Sequence, residues 1–330
     1  FELERYAGSL IYEKDFSEET RLDWRTYGGY YRRWSKRQNG GGFGTLPTSR
    51  QNTIQEQEFY NLGFEPRLRH DYDLFGQTHT LTFGTHTFFS HSPNEEWKGN
   101  WPEADFGTLQ KQSIRDQWYL SVFLEHLFRI GKLAITPGVR IENIWQRVEE
   151  KVNLSKTTVP LPDQKNFSAV PLFGLGIVYE VAKGIEVYTN ISQSYRPKTF
   201  GASVPLGTNQ VVNGNLEEGR GAQYDFGFRG HPLPFITWDM DYFHFRFKDQ
   251  IGTNGNTIDN IGHTQNDGFE LFTEVDVVGA WDYFAKTELV DKIGSLTPFV
   301  TLTVMDAEIY SGPLMGRRPA FAPQDNVRFG

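Results

Sequence analysis

The chain has 330 residues, 38% hydrophobic and 15% aromatic, with a formal net charge of -8 and no Cys; its mean hydropathy is -0.52. No run approaches the roughly 18 to 20 apolar residues of a spanning helix, whereas a transmembrane barrel shows lipid only alternate residues and tolerates a negative mean. The missing Cys excludes disulfide scaffolds, thiolate metal sites and Cys nucleophiles, and the acidic balance argues against a nucleic-acid partner.

The first residues, FELERYAGSL, place Glu2, Glu4 and Arg5 where a signal peptide has its apolar core, so the expectation is that any export signal is missing or already removed. Strand-like segments then recur at 4–13, 21–34, 55–69, 78–89, 112–128, 132–147, 168–181, 185–195, 221–230, 235–247, 264–277, 297–306 and from 326 onward. Nothing helical of comparable quality interrupts them. Many run about 10 to 15 residues, against about 5 or 6 in soluble sheets and about 9 to 11 for tilted membrane strands. The 27 Phe, 15 Tyr and 8 Trp suit two aromatic girdles, although a soluble all-β protein can also be aromatic-rich.

Alternation is imperfect in 118–128 and in 238–247, where aromatic residues fall on both faces. It is clear in 167–197. There Phe173, Leu175, Ile177, Tyr179 and Val181 form an apolar face, opposite Leu172, Gly174, Gly176, Val178 and Glu180. The returning strand sets Ile185, Val187 and Ile191 against Glu186, Asn190 and Ser192. This is period two, not helical periodicity. Connections alternate in length: short at 15–20, 70–77, 129–131, 182–184 and 231–234, long at 35–54, 90–111, 148–167, 196–220, 252–263 and 307–324. Short turns at one end and long loops at the other are the asymmetry of outer-membrane barrels.

Six phrases then carry a resemblance: RIGKLAITPGVRIEN from Arg129, FSAVPLFGLGIVYEVAKGIEVYTNISQSYRP from Phe167, GNLEEGRGAQYDFGFRG from Gly214, YFHFRFKDQIG from Tyr242, TQNDGFELFTEVD from Thr264 and GRRPAFAPQDNVRFG from Gly316. In this order they resemble the barrel of TonB-dependent outer-membrane receptors, and the segment 112–195 is similar to the ferric dicitrate receptor branch. The resemblance implies an all-β, transmembrane antiparallel β-barrel in the bacterial outer membrane, of which the 13 segments are part of about 22 strands. It also implies a plug domain with a TonB box, so residues 1–330 read as a partial barrel domain without plug or closing strands. An open sheet of that kind would leave unpaired edges in lipid, which also makes a chain cut at both ends the expectation. The implied ligand is a ferric chelate or other siderophore-like compound, of ferric citrate type. The implied partners are the TonB–ExbB–ExbD complex, acting through the plug, and outer-membrane lipid and lipopolysaccharide.

The region 28–55 holds Arg32, Arg33, Lys36, Arg37 and Arg50 without any Asp or Glu, a local surplus of five. Guanidinium groups bind carboxylates bidentately, so such a cluster at a barrel mouth fits a chelate bearing several carboxylates. The plain alternative is a solvated basic rim or one facing lipopolysaccharide phosphates. Gln193 and Arg196, with Lys198, sit where a strand enters a long loop, and Pro197 there also ends a strand with charges facing water. Asn254 and Asn256 fit hydrogen bonding to a polar chelate but are equally ordinary turn residues. His91, Glu95 and Glu96 lack a metal-ligand spacing. GGGFG lacks the Lys-Ser/Thr of a phosphate loop, neither GxSxG nor HExxH occurs, and no catalytic residue, cofactor or metal is assigned. A porin- or adhesin-like barrel without a plug is the alternative within membranes. From another class, a soluble secreted β-sandwich that binds glycans would pack Phe173, Leu175 and Ile177 on a second sheet.

Overall fold

The computed structural model describes residues 1–38, 50–154, 161, 163–203, 211–319 and 322–330. In chain order its elements are β1 (Glu2–Asp15), β2 (Thr20–Gln38), β3 (Asn52–Leu74), β4 (Gln77–Gly99), β5 (Thr108–Ile130), β6 (Leu133–Asn153), β7 (Asp163–Ala182), β8 (Ile185–Arg196), α1 (Phe200–Ser203), β9 (Val211–Val212), β10 (Gly219–Leu233), β11 (Ile236–Lys248), β12 (Ile251–Asn254), β13 (Thr257–Asn260), β14 (Thr264–Val275), α2 (Val277–Ala285), α3 (Leu289–Ile293), β15 (Phe299–Ile309) and β16 (Asp325–Phe329). Thirteen strands form one antiparallel sheet in the order β1-β2-β3-β4-β5-β6-β7-β8-β10-β11-β14-β15-β16, and β12-β13-β9 form a small separate one.

Because successive residues point to opposite faces, the ladder registers sort every side chain. Phe173 lies opposite Val139 on β6, and Leu175 lies between Pro137 and Ile191 on β6 and β8. Propagated through neighbouring ladders, this apolar face gathers Leu62, Phe83, Leu124, Ile141, Phe226, Tyr242, Phe269 and Val304. Phe173 is 57% exposed there, and Ile141, Phe226 and Phe269 are also exposed. Ring pairs Tyr6–Tyr30, Tyr30–Tyr60, Phe89–Trp118 and Trp145–Phe167, at 6.3, 5.1, 4.5 and 5.0 Å, run across its upper margin. Trp24–Phe64 and Phe228–Trp238 lie nearer the lower one, at 5.0 and 4.4 Å. No second sheet covers this face among the described residues, so the sandwich alternative loses its packing partner.

The opposite face is polar and concave. Ile11 on β1 and Arg140 on β6 line the same cavity of about 460 Å³, which six strands can share only if the sheet curls toward that side. Several glycines on the polar face lie directly under an aromatic ring of the adjacent strand. A Cβ on Gly63 would fall 2.1 Å from Cζ of Tyr27, and one on Gly227 2.1 Å from Cζ of Tyr188. Each is the direct cross-strand neighbour of its ring. Here glycine is required for close approach of a ring to the backbone, which lets the sheet bend.

Five connections at the lower end are short, spanning 16–19, 75–76, 131–132, 183–184 and 234–235, and those at the upper end are longer, as the alternation predicts; the lower-end connection 276–298 is the exception. Two findings depart from the sequence reading. Several strands extend well beyond the apolar belt, so that 91–99, which contains His91, Glu95 and Glu96, belongs to β4 rather than to a loop. And helices do interrupt the strands: α2 and α3 fill the lower-end connection between β14 and β15. Helix α2 starts because the Asp276 carboxylate accepts the Gly279 amide at 3.0 Å, a cap hidden within what reads as the end of a strand.

Candidate functional site

Period two divides the basic cluster. Arg32 and Lys36 share the apolar side of β2, above the ring of Tyr30, and Arg33 and Arg37 share the polar side. The neighbouring strands supply the carboxylates that 28–55 lacks. Arg32 Nε donates to Glu56 at 2.6 Å and its Nη1 to Glu4 at 3.3 Å. Beside it the Tyr30 hydroxyl donates to Glu58 at 2.8 Å. Lys36 pairs with Asp105 at 2.6 Å and donates to the Glu103 carbonyl at 3.1 Å. The 100–107 connection is pinned at the same place by Asn52, whose amide donates to the carbonyls of Pro102 and Ala104 at 2.9 and 2.8 Å.

Arg33 and Arg37 are exposed. The Arg33 guanidinium lies 5.7 Å from the Phe1 ring centroid, and neither arginine has an ion pair among the described residues. Arg50 is exposed immediately before β3. Residues 39–49, including the glycine run, lie outside the described residues.

The other candidates are placed elsewhere. Arg196 closes β8 opposite Gly219, on the polar side and exposed. Strand β8 stands six strands from β2, an arc of about 29 Å at roughly 4.8 Å per strand, so the structure does not bring Arg196 into the β2 group. The Asn254 backbone pairs with Thr257 at the tip of the β12–β13 hairpin.

Gln193 occupies a seam. The β7–β8 ladder ends at Gly174–Ser192. Above it, the Gln193 side-chain oxygen accepts the Phe173 amide at 3.1 Å, replacing a backbone bond. Two residues earlier the amide facing the gap would be that of residue 171, which is a proline and has none to leave unpaired.

Sequence reading missed two groups on the polar face. One lines the cavity of about 460 Å³: Arg25, Glu65, Arg67, His86 and Arg140, with Glu13 and Asp23. His86 Nε2 lies 2.9 Å from the Tyr27 hydroxyl and 3.3 Å from Glu65, while Arg140 reaches the Tyr119 hydroxyl at 2.9 Å. The other is acidic: Asp241 lies directly opposite Glu270, with Asp225 and Asp239 on the same face. Tyr188 donates to Asp239 at 2.8 Å and Asn190 to Asp225 at 3.2 Å. The curved interior thus carries mixed charge along β2–β6, where Arg25, Arg67 and Arg140 stand among Glu13, Asp23 and Glu65, and a carboxylate cluster along β10–β14, with Arg229 paired to Glu186 beside it. The available signal was the charge at alternate positions of RLDWR and TWDMDYF.

Above β10–β14 the long connections build a cap. The β12–β13 hairpin and β9 enclose Leu216, Ile258, Val212 and Ile251, and Asn260 ties Glu217 to Asp249 through their carbonyls at 3.0 and 2.9 Å. The 310–324 connection joins it through the Tyr310 amide, bonded to the His263 carbonyl at 3.0 Å. The long connections thus sit above the polar, concave face at its upper end.

A family model described as "TonB dependent receptor-like, beta-barrel" matches residues 1–330. Among solved structures, the chain is similar to the ferric citrate transporter FecA in its unliganded form, with a TM-score of 0.78 and 17% identity over 99% of this chain and 46% of that one. The siderophore receptor PiuA from Acinetobacter baumannii gives 0.69 and 14%, over 98% and 51%. The copper transporter OprC gives 0.72 and 11%, over 99% and 49%. The chain spans about half the length of these structures.

Proposed function

The chain belongs to the β-barrel family of TonB-dependent receptors, and we propose that it forms part of the wall and mouth of an outer-membrane receptor that imports an anionic metal chelate, of which a ferric citrate or siderophore complex is the leading class. On this reading the apolar, ring-edged face meets lipid, the concave face surrounds a plug carried elsewhere in the protein, and the long connections are extracellular. Uptake is binding followed by gated passage, powered by the TonB–ExbB–ExbD complex through that plug. The chain performs no catalysis in this scheme.

The observation that carries the ligand class is the split of the basic cluster. Arg32 and Lys36 are already neutralised by carboxylates on the outer side. Arg33 and Arg37 stand on the polar side, and Arg50 is exposed near them in sequence. Solvent-screened guanidinium–carboxylate contacts contribute up to about 1 kcal/mol each. Changing Arg33, Arg37 and Arg50 together to Gln should therefore weaken binding of a polycarboxylate ferric chelate by about 10- to 100-fold. A neutral siderophore should be little affected, and Arg32→Gln should leave both affinities nearly unchanged. Titration calorimetry on the complete receptor decides the matter: an unaltered affinity in the triple variant removes these residues from the site.

A further inference from the structure

The β14–β15 connection is the one lower-end connection among the described residues that carries helices, and it exposes Val277, Trp281, Phe284, Ile293 and Leu296 outside the strand belt. The antiparallel ladder does not stop at the ends of the two strands. The Val275 amide donates to the Pro298 carbonyl at 3.1 Å and the Val277 amide to the Leu296 carbonyl at 2.8 Å. Both bonds keep the β14–β15 register, in which Thr273 opposes Val300 and Leu271 opposes Leu302. Val277 and Leu296 therefore continue the same apolar face as Phe269, Leu271 and Val304, one step below the last strand residues. From Val277, helix α2 adds Trp281 and Phe284 at helical spacing. These three side chains are 47%, 60% and 71% exposed, and Leu296 is 61% exposed.

The helix is held at both ends. The Asp276 amide donates to the Phe235 carbonyl at 2.8 Å, and the Phe235 ring meets Tyr283 at 5.4 Å and Phe284 at 5.6 Å. The carboxylates nearest the stripe are turned to internal caps: Asp276 holds the start of α2, and Asp282 accepts the Thr287 hydroxyl and the amides of Leu289 and Val290. The helix thus continues the apolar face of β14 and β15 while Asp276 and Asp282 are engaged in caps.

We propose that the Val277–Trp281–Phe284 stripe, with Leu296, is an interfacial anchor that lies in the headgroup–acyl boundary of the periplasmic leaflet of the outer membrane. A helix lying in the interface buries its apolar face about 5 to 10 Å into that boundary, and aromatic residues are favoured at this depth. The anchor fixes the height of the barrel in the bilayer at the β10–β15 side. This inference rests on the outer-membrane reading above, and its test separates the two.

The chain has no Cys, so once any Cys elsewhere in the complete receptor is replaced by Ser, spin labels are introduced singly by Phe284→Cys, Trp281→Cys, Asp291→Cys and Ile177→Cys and read in phospholipid vesicles that hold no other protein. Collision with oxygen should exceed collision with a water-soluble nickel chelate several-fold at 281 and 284, as at 177, with the reverse order at 291. Labels at 281 and 284 that behave like 291, while 177 stays lipid-immersed, overturn the anchor and leave the barrel reading intact; a periplasmic protein partner would give this result. Label–label broadening at 284 would assign the stripe to a second copy and also overturn it. A nickel-accessible label at 177 would overturn both.

Discussion

Phe173→Arg, set against Leu172→Arg, tests the assignment of faces at the midpoint of β7. On β7 the apolar face runs from Phe167, stacked on Trp145 at 5.0 Å, to Tyr179 opposite Leu133. Twelve residues at about 3.4 Å each, tilted by about 40°, cover roughly 30 Å along the membrane normal, which matches a hydrocarbon core. Phe173 is midway. An Arg at the lipid-facing midplane of a barrel costs about 2 to 4 kcal/mol, a shift of about 30- to 1,000-fold in the folding equilibrium. Leu172 is its chain neighbour on the concave side, opposite Arg140, where a charge reaches water and the like-charge pair costs at most about 1 kcal/mol, so the same substitution there should cost no more than about 1 kcal/mol. Urea titrations of the complete receptor in phospholipid vesicles, followed by heat-modifiable migration, give both values. Equal costs at 172 and 173, or a cost below about 0.5 kcal/mol at 173, would refute the lipid-facing assignment.

Gly227→Ala should destabilise by about 1 to 3 kcal/mol, because its Cβ displaces the Tyr188 ring and with it the 2.8 Å bond to Asp239; a thermal melt unchanged from wild type would mean the ring is not seated on the glycine. Gln193→Ala should remove the acceptor of the Phe173 amide, at a cost of about 1 kcal/mol, and speed hydrogen exchange there without altering chelate affinity. Lost affinity with unchanged exchange would instead make Gln193 a ligand contact. The Asp282 carboxyl is pushed up by partial desolvation, but hydrogen bonds from the Thr287 hydroxyl and the Val290 and Leu289 amides, with nearby Lys292, outweigh this and hold it below the usual carboxylate range. A depressed folded value means that its stabilisation is present above the unfolded value of about 3.9 and is lost as pH falls through the folded value. Exchange protection of the Leu289 and Val290 amides should therefore vanish only in strong acid. In Asp282→Ala it should be absent at every pH, and protection that survives in that variant would contradict the cap.

The fold was largely legible in the sequence because alternation, strand length and loop asymmetry are local or nearly local properties. The thirteen segments of the sequence became the thirteen strands of the large sheet. What was not legible lay where the pattern changes its cause. Beyond the belt the strands continue without an apolar face, so 91–99 and 148–153 read as loops although both lie in the β4–β5 and β5–β6 ladders, with irregularities at Glu96/Trp97 and at Lys151. Helix α2 was missed because VVGAWDYFA follows a β-rich run with no break, and its start depends on one Asp276 hydrogen bond. The β7–β8 seam was invisible for the opposite reason: Pro171 and Gln193 lie on separate strands, and neither is unusual alone.

The candidate site shows how far a linear charge count reaches. Within 28–55 the count is five cations and no anion, yet a strand contacts two neighbours whose sequences lie elsewhere. Glu4 comes from β1, Glu56 from β3 and Asp105 from the β4–β5 connection, and together they neutralise the cations on one side only. Adjacent arginines thus acquire opposite fates: Arg32 becomes part of an ion-paired collar above the aromatic row, while Arg33 keeps its charge toward the concave side. An exposed ion pair adds little stability, so the collar's physical consequence is to keep a strongly basic strand from presenting its charge to both sides. If the proposed chelate enters at this rim it meets the alternate residues alone, and the Arg32→Gln control separates recognition there from simple attraction by net charge, which both substitutions lower alike per residue.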